Sequence, residues 1–391
     1  MDAARPEARI ALASAQLPLS AASARRADML LRGPVDWPLL SEIAERHRIS
    51  QRVYGYLLFQ AAPLVPPAEL RRIGDRFYAR AHRNAMMWSE LHRVHRALED
   101  RGVPAIPFKG PLSAVAFYGS AAYRDFADLD VLIRRHDLPE AHVALAAVGY
   151  RLEEPYGRYP AVLGLSTEYA FPYRHAETGS RLELHCELAP SYFAFRLKTD
   201  DAFARAAAKP WNGTVFRSLC DEDTVLTLSM HGAKHCWLWL DLICSLAAAL
   251  RTAPNLDWPV LIARAAALGA TRMLLVGLAL ARDLFETALP SEVCARIARD
   301  RTVRRLKDEV VANLFRSRTE RAVFVWTPWF HQAVRERMRD RILYRLAGLT
   351  SPELDDLRAL PLPRRLFGLY RLTRPLRVLG LYGRSLVELK R

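Results

Sequence analysis

The chain has 391 residues, a formal net charge of +15 and a hydrophobic fraction of 51%. This length fits two or three domains, and this composition excludes a mainly disordered chain. No apolar run reaches the roughly 18 residues that a membrane-spanning helix needs, so we expect no membrane span.

The positive charge is only a weak indication of a nucleic-acid partner. Six of the 57 basic residues are lysines, and such an excess of arginine in an alanine-rich chain is typical of a GC-rich genome. The charge is also uneven, because residues 301–391 contain 21 basic and 9 acidic side chains. We therefore expect a reaction that does not require nucleic acid.

The cysteines and the N-terminal sequence favour a cytoplasmic protein. The five cysteines are odd in number and none forms a CxxC motif, which argues against a disulfide framework and a thiolate zinc site. Residues 1–27 are rich in Ala, Ser and Arg and lack the apolar core of a signal peptide. We predict a flexible tail over residues 1–27.

Apolar periodicity divides the rest of the chain into helical and mixed parts. Helical spacing predicts helices before residue 100, including one long helix over residues 68–100. Short apolar runs between residues 101 and 190 predict strands, with a helix after the first strand. Helical spacing returns at about residue 221, where Asp223 and Asp257 are expected to cap helices.

The sequence therefore predicts an α+β fold in which a small mixed sheet is flanked by two helical regions. The predicted parts are an N-terminal helical region (28–100), the α+β core (101–190), a C-terminal helical domain (191–330) and a basic, proline-interrupted segment (331–391).

Two aspartates lie at alternate positions at the start of a predicted strand over residues 129–133. Alternate side chains share a face of a strand, so Asp128 and Asp130 project together, about 6.6 Å apart. Such carboxylates repel each other unless cations neutralise them, and Mg²⁺ prefers carboxylate oxygens while leaving sites for phosphates. We predict a metal site here, with a solvated strand edge as the alternative.

A second predicted strand, over residues 181–187, alternates polar and apolar side chains in the same way. If it lies beside the aspartate strand, Glu183 completes a carboxylate triad of the kind that holds two metal ions for in-line phosphoryl transfer. Glu187 shares the same face and is the rival third ligand. His185 is expected either beside the metal ligands or at the acceptor.

Lys109 and Gly110 lie where a predicted strand meets a predicted helix. Glycine lets the backbone approach a ligand closely, and a helix N-terminus favours phosphate. We predict that this turn binds phosphate. Arg124 is expected either to bind phosphate oxygens as well or to pair with Asp125 or Glu153.

This combination of motifs resembles a known family over about residues 28–330. The chain resembles the bacterial uncharacterised nucleotidyltransferases, which belong to the polymerase-beta-type nucleotidyltransferase superfamily. The matching pieces are Phe108-Lys109-Gly110, Tyr118, Arg124 with Asp128-x-Asp130, Gly149-Tyr150, Glu183-x-His185, and His231-Gly-Ala-Lys234-His235-Cys-Trp237 with Asp241. The superfamily's usual Gly-Ser turn is not at Gly119-Ser120, which lies too close to Asp128, and we assign that turn to Lys109-Gly110.

The resemblance implies transfer of a nucleoside monophosphate from an NTP, with ATP as the expected donor, to the hydroxyl of an unidentified acceptor. Pyrophosphate is released, and two Mg²⁺ ions, replaceable by Mn²⁺, assist. The implied catalytic and metal-binding residues are Asp128, Asp130 and Glu183. The implied nucleotide-binding residues are Lys109, Gly110, Arg124 and Lys234.

The helical motif contains two histidines whose role is open. His231 and His235 are four residues apart and share a helix face, a spacing that can ligate zinc. Because no third ligand is evident, packing beside the catalytic core is favoured. Asp241 is expected to make a structural hydrogen bond.

The basic end, residues 364–391, interleaves arginine with leucine. A membrane-surface helix or a nucleic-acid contact are alternatives. The favoured interpretation is a helical end that packs its leucines on the body and turns its arginines to water.

Two other functions compete with nucleotidyl transfer. An Asp-x-Asp glycosyltransferase would use a nucleotide-sugar, but it needs a larger nucleotide-binding domain than about 90 residues provide. A non-catalytic nucleotide-binding module of the same fold is the second alternative.

Overall fold

In the computed structural model of the chain, α-helices precede and follow a five-stranded mixed sheet in sequence. The structure describes residues 5–153, 169–193, 195–211, 213–315, 320–350, 356, 359–360, 362 and 364–377. The predicted α+β fold, with a small mixed sheet flanked by helices, is confirmed.

The N-terminal part is helical from its first described residues. Its helices are α1 (Pro6–Ser14), α2 (Ala21–Leu31), α3 (Trp37–Arg46), α4 (Ser50–Phe59) and the long α5 (Pro67–Glu99).

The prediction of a flexible tail over residues 1–27 is wrong for its described part. Ile10 and Ala27 are buried in the main hydrophobic core, and Gln16 donates a hydrogen bond of 2.8 Å to the carbonyl oxygen of Phe285. The alanines that suggested a flexible tail are small enough for close helix packing. Their burial against other helices stabilises α1 and α2.

The sheet has the strand order β1-β2-β5-β4-β3. Its strands are β1 (Ile106–Pro107), β2 (Asp128–Leu132), β3 (Tyr150–Leu152), β4 (Ala170–His175) and β5 (Arg181–His185), and its helices are α6 (Gly110–Tyr118) and α7 (Leu138–Ala147). Strands β2 and β5 are parallel neighbours, and the other pairs in the sheet are antiparallel.

The register of the parallel pair decides which side chains meet. Asp130 lies directly opposite Glu183, and Asp128 lies opposite Arg181. On the other face, Leu129 and Val131 are buried in a core that the sheet shares with α5 and α7. The expected alternation of polar and apolar faces along β2 is therefore observed.

The C-terminal part begins with a feature that its sequence did not suggest to us. After α8 (Thr199–Arg205), strands β6 (Ala207–Trp211) and β7 (Thr214–Ser218) form a separate antiparallel pair inside the region predicted to be helical. Phe216 of this pair contacts the rings of Trp88, His92 and His95 on α5. The packing of this pair onto α5 is a tertiary contact that helical periodicity does not report.

Helices then follow to residue 350. They are α9 (Asp221–Lys234), α10 (Leu240–Thr252), α11 (Trp258–Leu268), α12 (Thr271–Phe285), α13 (Ser291–Arg299), α14 (Arg301–Leu314), α15 (Glu320–Ala333) and α16 (Met338–Thr350).

One of the two predicted helix caps is confirmed. The Asp257 side chain accepts a hydrogen bond of 2.9 Å from the amide of Val260 at the start of α11. The prediction for Asp223 is wrong, because α9 begins two residues earlier and Asp223 is fully buried between Arg205 and Arg264. The two ion pairs account for its burial.

The two helical regions are not separate flanks of the sheet. Residues of α1, α4, α9 and α12 belong to one hydrophobic core, so the N-terminal and C-terminal helices pack against each other beside the sheet. Within the described residues, no disulfide joins any of the five cysteines. Across the described helices, none has both the length and the apolar character to cross a membrane.

The favoured interpretation of the basic end is wrong for its described part, residues 364–377. Leu372 and Leu376 are 69% and 73% exposed, whereas Tyr370 and Arg374 are buried. Arg374 and Arg377 both pair with the buried carboxylate of Asp356, which explains why arginine instead of leucine faces the body. Residues 378–391 lie outside the described residues.

Candidate active site

A polar cavity of about 590 Å³ lies where the sheet meets the start of α6 and the helices α3, α5, α9 and α10. Every site residue predicted from the sequence lines it, except the rival ligand Glu187. These residues are Lys109, Gly110, Arg124, Asp128, Asp130, Glu183, His185, His231, Lys234 and His235.

Asp130 is the most heavily bonded carboxylate of the site. Its Oδ1 atom accepts a hydrogen bond of 3.1 Å from Lys109 Nζ and one of 3.0 Å from His185 Nε2. Burial alone would raise the pKa of Asp130, but the charge of Lys109 and the bond from His185 hold it well below its usual range. Asp130 is therefore a permanent negative charge at the base of the cavity.

Asp128 and Glu183 complete a cluster of three carboxylates. Burial, together with the charges of Asp130 and Glu183, raises the pKa of Asp128 to about 6. His185 Nε2 lies 3.3 Å from Glu183 Oε2, and this hydrogen bond lowers the pKa of Glu183 despite partial burial. Burial and the two neighbouring carboxylates thus both disfavour the charged form of Asp128, which a bound cation would favour.

The rival ligand Glu187 lies outside the cavity. Strand β5 ends at His185, the chain bends over residues 186–189, and Glu187 accepts a hydrogen bond of 3.3 Å from Thr199. The strict alternation assumed for residues 181–187 thus ends two residues early, which removes Glu187 from the face of Glu183.

The turn at Lys109 and Gly110 has a geometry that only glycine adopts readily. Gly110 has a φ of +57°, and a Cβ atom there would lie 3.0 Å from the backbone oxygen of Asp128. The turn opens α6, so its N-terminus faces the carboxylate strand. Burial would lower the pKa of Lys109, but the charge of Asp130 raises it, and the amine stays protonated.

Arg124 is held by groups that its sequence context did not suggest. Its Nη2 atom lies 3.4 Å from Asp241 Oδ2, and its Nη1 atom lies 3.5 Å from the carbonyl oxygen of Gly110. Neither Asp125 nor Glu153 is its partner. Asp241 also binds the fully buried Arg52 at 2.8 Å, so the structural hydrogen bond expected for Asp241 is confirmed.

Lys234 and the two histidines form the helical side of the cavity. Lys234 Nζ donates a hydrogen bond of 2.7 Å to Tyr169 Oη, and burial followed by the charge of Lys109 lowers the pKa of Lys234 to about 8. The rings of His231 and His235 lie 4.6 Å apart and face the cavity. Burial and nearby cations lower the pKa of both histidines, so both rings are neutral.

Three further residues of the cavity were missed by sequence reasoning. Tyr169 binds Lys234, and Arg48 stacks over Trp239 with 4.1 Å between the guanidinium carbon and the ring centroid. Trp239 lies beyond the end of α9 at Lys234, so helical spacing does not place it beside His235. Arg48 has no local signal either, because it is almost two hundred residues away in the chain.

The described residues contain a single group of side chains able to hold a metal ion, namely Asp130, Glu183 and His185. Their ligand atoms lie within 4.8 Å of one another. His231 and His235 belong to no such group within the described part of the chain.

Comparison with known proteins agrees with the resemblance seen in the motifs. Residues 33–286 match the family model described as an uncharacterised nucleotidyltransferase. The chain belongs to this family. All ten cavity residues predicted from the sequence lie within the matched range, so the cavity belongs to the part of the chain that defines this nucleotidyltransferase family.

Other comparisons add little. No curated protein matches the chain in sequence. Among solved structures, the nucleotidyltransferase is similar to the crystal structure of ANT(2″)-Ia in complex with adenylyl-2″-tobramycin, at 16% sequence identity and a TM-score of 0.34. That match covers 47% of this chain and 97% of the other.

Proposed function

We propose that this nucleotidyltransferase transfers a nucleoside monophosphate from an NTP to an acceptor hydroxyl and releases pyrophosphate. One observation carries the proposal. Asp130 and Glu183 are register partners on adjacent parallel strands, Asp128 lies one alternation earlier, and all three line a cavity beside the N-terminus of a helix. This arrangement joins a cation site to a phosphate site.

The residues present suit a divalent metal ion. Three carboxylates offer the hard oxygen ligands that Mg²⁺ prefers, and burial together with their mutual repulsion raises the pKa of Asp128. Asp128, Asp130 and Glu183 would hold two Mg²⁺ ions, for which Mn²⁺ could substitute. When bound, the ions would supply positive charge to the phosphate oxygens and to the attacking and leaving oxygens.

The chain's own residues would hold the triphosphate from the other side. The first amides of α6, beginning at Gly110, form an N-terminus that attracts phosphate oxygens. Lys109 adds a buried positive charge. Lys234, with a pKa of about 8, is mostly protonated at pH 7 and adds a second. These charges would offset the charge that develops on the pyrophosphate as it leaves.

The transfer itself needs a group to take the proton of the acceptor hydroxyl. The acceptor oxygen forms a bond to the α-phosphorus, and the bond from the α-phosphorus to the pyrophosphate oxygen breaks. We assign the proton to Glu183, whose side chain is 43% exposed and reachable, whereas Asp130 is 7% exposed and already binds two donors. His185 would keep Glu183 oriented through its bond to Oε2.

The test is incubation of the purified chain with each of the four α-³²P-labelled NTPs and Mg²⁺. The small-molecule, RNA and protein fractions of a heat-treated cell extract serve as acceptors. We expect Mg²⁺-dependent transfer of label to one fraction with equimolar release of pyrophosphate. The doubly substituted variant Asp128→Asn/Asp130→Asn should lose the transfer.

Two results would contradict the proposal. Equal affinity of the wild type and the double variant for NTP and Mg²⁺ would show that the carboxylates are not the metal site. Tight Mg²⁺-dependent NTP binding by the wild type with no transfer to any fraction would favour a non-catalytic nucleotide-binding module.

A further inference from the structure

Four planar groups contact one another in a row along the helical side of the cavity, with the His235 ring inclined by 49° to Trp239 and by 72° to His231. The guanidinium of Arg48 lies 4.1 Å over the ring centroid of Trp239, Trp239 lies 5.3 Å from His235, and His235 lies 4.6 Å from His231. All four groups line the cavity. We call this set the aromatic wall.

The backbone beside the aromatic wall is strained. Four non-glycine residues of the described chain have positive φ, and three of them flank the wall: Arg48 at +56°, Cys236 at +52° and Trp237 at +53°. A residue in this conformation is strained and persists only when its surroundings enforce it. Strain of this kind gathers at ligand sites, and here it places Arg48 and Trp239 face to face.

Packing behind the wall enforces the strained turn. The ring of Trp237 is fully buried, and a Cβ atom on Gly232 or Gly277 would lie 2.3 Å or 2.7 Å from the nearest side-chain atom, which at Gly232 belongs to Trp237. Glycine at both positions therefore makes room for the packing that holds residues 236 and 237 in place.

Two hydrogen bonds tie the two halves of the wall together. The Leu240 amide donates to His47 Nδ1 at 3.3 Å, and the Asp241 amide donates to the His47 carbonyl oxygen at 3.2 Å. These bonds join the turn that carries Arg48 to the turn that carries Trp239. The stacked geometry is thus built before any ligand arrives, which limits the ordering cost of binding.

The wall offers hydrogen-bonding atoms as well as planar faces. Among the described residues, the ring nitrogens of His231 and His235 have no hydrogen-bond partner, and both rings are neutral. A neutral imidazole presents one donor and one acceptor nitrogen. Lys234, which follows His231 by three residues, links this wall to the phosphate end of the cavity.

We infer that the aromatic wall binds the nucleobase of the NTP. This inference rests on the proposed function, because every NTP donor brings one planar, uncharged ring into the cavity together with its phosphates. Stacking of a base on an aromatic or guanidinium plane is sequence-tolerant and changes affinity by about 10- to 100-fold. The base would stack on the wall while the triphosphate meets Lys109 and Gly110.

The test compares two probes that share phosphates and differ in the base. Dissociation constants for ATP and for inorganic tripolyphosphate are measured calorimetrically with Mg²⁺ for the wild type and for Trp239→Ala. We expect ATP to bind about 10- to 100-fold more weakly to the variant, with tripolyphosphate unchanged. Trp258→Ala, a tryptophan of α11 outside the cavity, is the matched control and should bind both probes normally.

A second variant guards against a folding defect. Arg48→Gly removes the guanidinium plane but relieves the positive φ at this position, so its fold should be at least as stable as that of the wild type. Arg48→Gly should also bind ATP more weakly than the wild type and bind tripolyphosphate with unchanged affinity. Arg48→Lys keeps the charge but lacks the plane, and it should behave like Arg48→Gly if stacking is what matters.

Other results of these binding measurements would contradict either the inference or the proposed function. If Trp239→Ala leaves ATP affinity unchanged, or weakens ATP and tripolyphosphate equally, the wall does not hold the base. Unchanged ATP affinity with reduced transfer would assign the wall to the acceptor instead. A wild type that binds neither probe would overturn the proposed function itself, and this inference with it.

Discussion

The two sides of the cavity are built in different ways. On the sheet side, Asp128, Asp130 and Glu183 come from two adjacent strands whose register alone sets their spacing. On the helical side, Arg48 and Trp239 come from two turns that long-range hydrogen bonds and buried packing hold in strained conformations. Strand pairing positions the side chains of the sheet side, and long-range packing positions those of the helical side.

This difference predicts different responses to substitution. On the sheet side, loss of charge at Glu183 should change the stability little, since its side chain is partly exposed, whereas Asp130 is buried between Lys109 and His185. The helical side should lose stability readily, because its geometry depends on the buried ion pairs of Asp241 with Arg52 and Arg124.

The largest expected effect is on the stability of the helical side. Asp241→Ala leaves the fully buried Arg52 without its counter-charge, which should lower the free energy of unfolding by about 3–5 kcal/mol. Chemical denaturation measures this loss. Glu292→Gln, which breaks an exposed pair with Arg296, is the control and should cost less than about 1 kcal/mol. A loss of less than about 1 kcal/mol for Asp241→Ala would show that the helical side does not depend on the ion pairs of Asp241.

The next effect is on activity and tests the sheet side. Glu183→Gln should slow pyrophosphate release by about 100-fold, or about 2.7 kcal/mol, because one metal-binding oxygen loses its charge. Its free energy of unfolding should change little. Glu187→Gln makes the same chemical change outside the cavity and should leave the rate within about threefold of wild type. Equal rates for the two variants would remove Glu183 from the site.

A matched pair of glycines tests the turn between the two sides. Gly110 and Gly119 both have positive φ, so alanine at either position costs about 1–2 kcal/mol of stability. Only at Gly110 does a Cβ atom approach other backbone, 3.0 Å from the oxygen of Asp128. Gly110→Ala should therefore weaken NTP binding about tenfold, whereas Gly119→Ala should not. Similar affinities for both would show that the turn does not contact phosphate.

The smallest effect concerns pH. Burial lowers the pKa of His47 and of His331 to about 4, from 6.5 in the unfolded chain. Below pH 6.5 these histidines bind protons in the unfolded chain but stay neutral in the folded chain. The free energy of unfolding therefore falls as pH drops from 6.5 towards 4. Each histidine should contribute about 1 kcal/mol of loss between pH 6.5 and 5.5.

Unfolding free energies measured at several pH values check this expectation. His136 has an exposed side chain, so His136→Gln should leave the slope unchanged, whereas His47→Gln should reduce it. A flat profile between pH 6.5 and 5.5 would show that these imidazoles are not buried in their neutral form.

The sheet side was largely predictable from the sequence. Alternation along β2 and β5 indicated which carboxylates share a face, and the glycine at 110 indicated a close approach of backbone. What alternation did not reveal was the end of β5 at His185, which excludes Glu187 from the cavity. A strand end depends on its neighbours, and a side-chain pattern does not report those.

Most contacts of the helical side could not be predicted from the sequence. The pairing of Arg48 with Trp239 and of Arg124 with Asp241 joins segments far apart in the chain, and no local spacing encodes such contacts. The helices α1 and α2 escaped prediction for a similar reason, since burial against distant helices stabilises their alanine-rich sequence. By contrast, an Asn-Gly pair at 212–213 is a recognised hairpin signal that would have predicted β6 and β7.

The claim that three carboxylates form a metal site for nucleotide transfer has one direct test. Crystals grown with Mn²⁺ and a non-hydrolysable ATP analogue, measured at the manganese absorption edge, locate the ions by anomalous scattering. We predict peaks bounded by Asp128, Asp130 and Glu183, beside the α-phosphate of the analogue. An analogue bound in the cavity with no manganese at these carboxylates, or with manganese elsewhere, would contradict the claim.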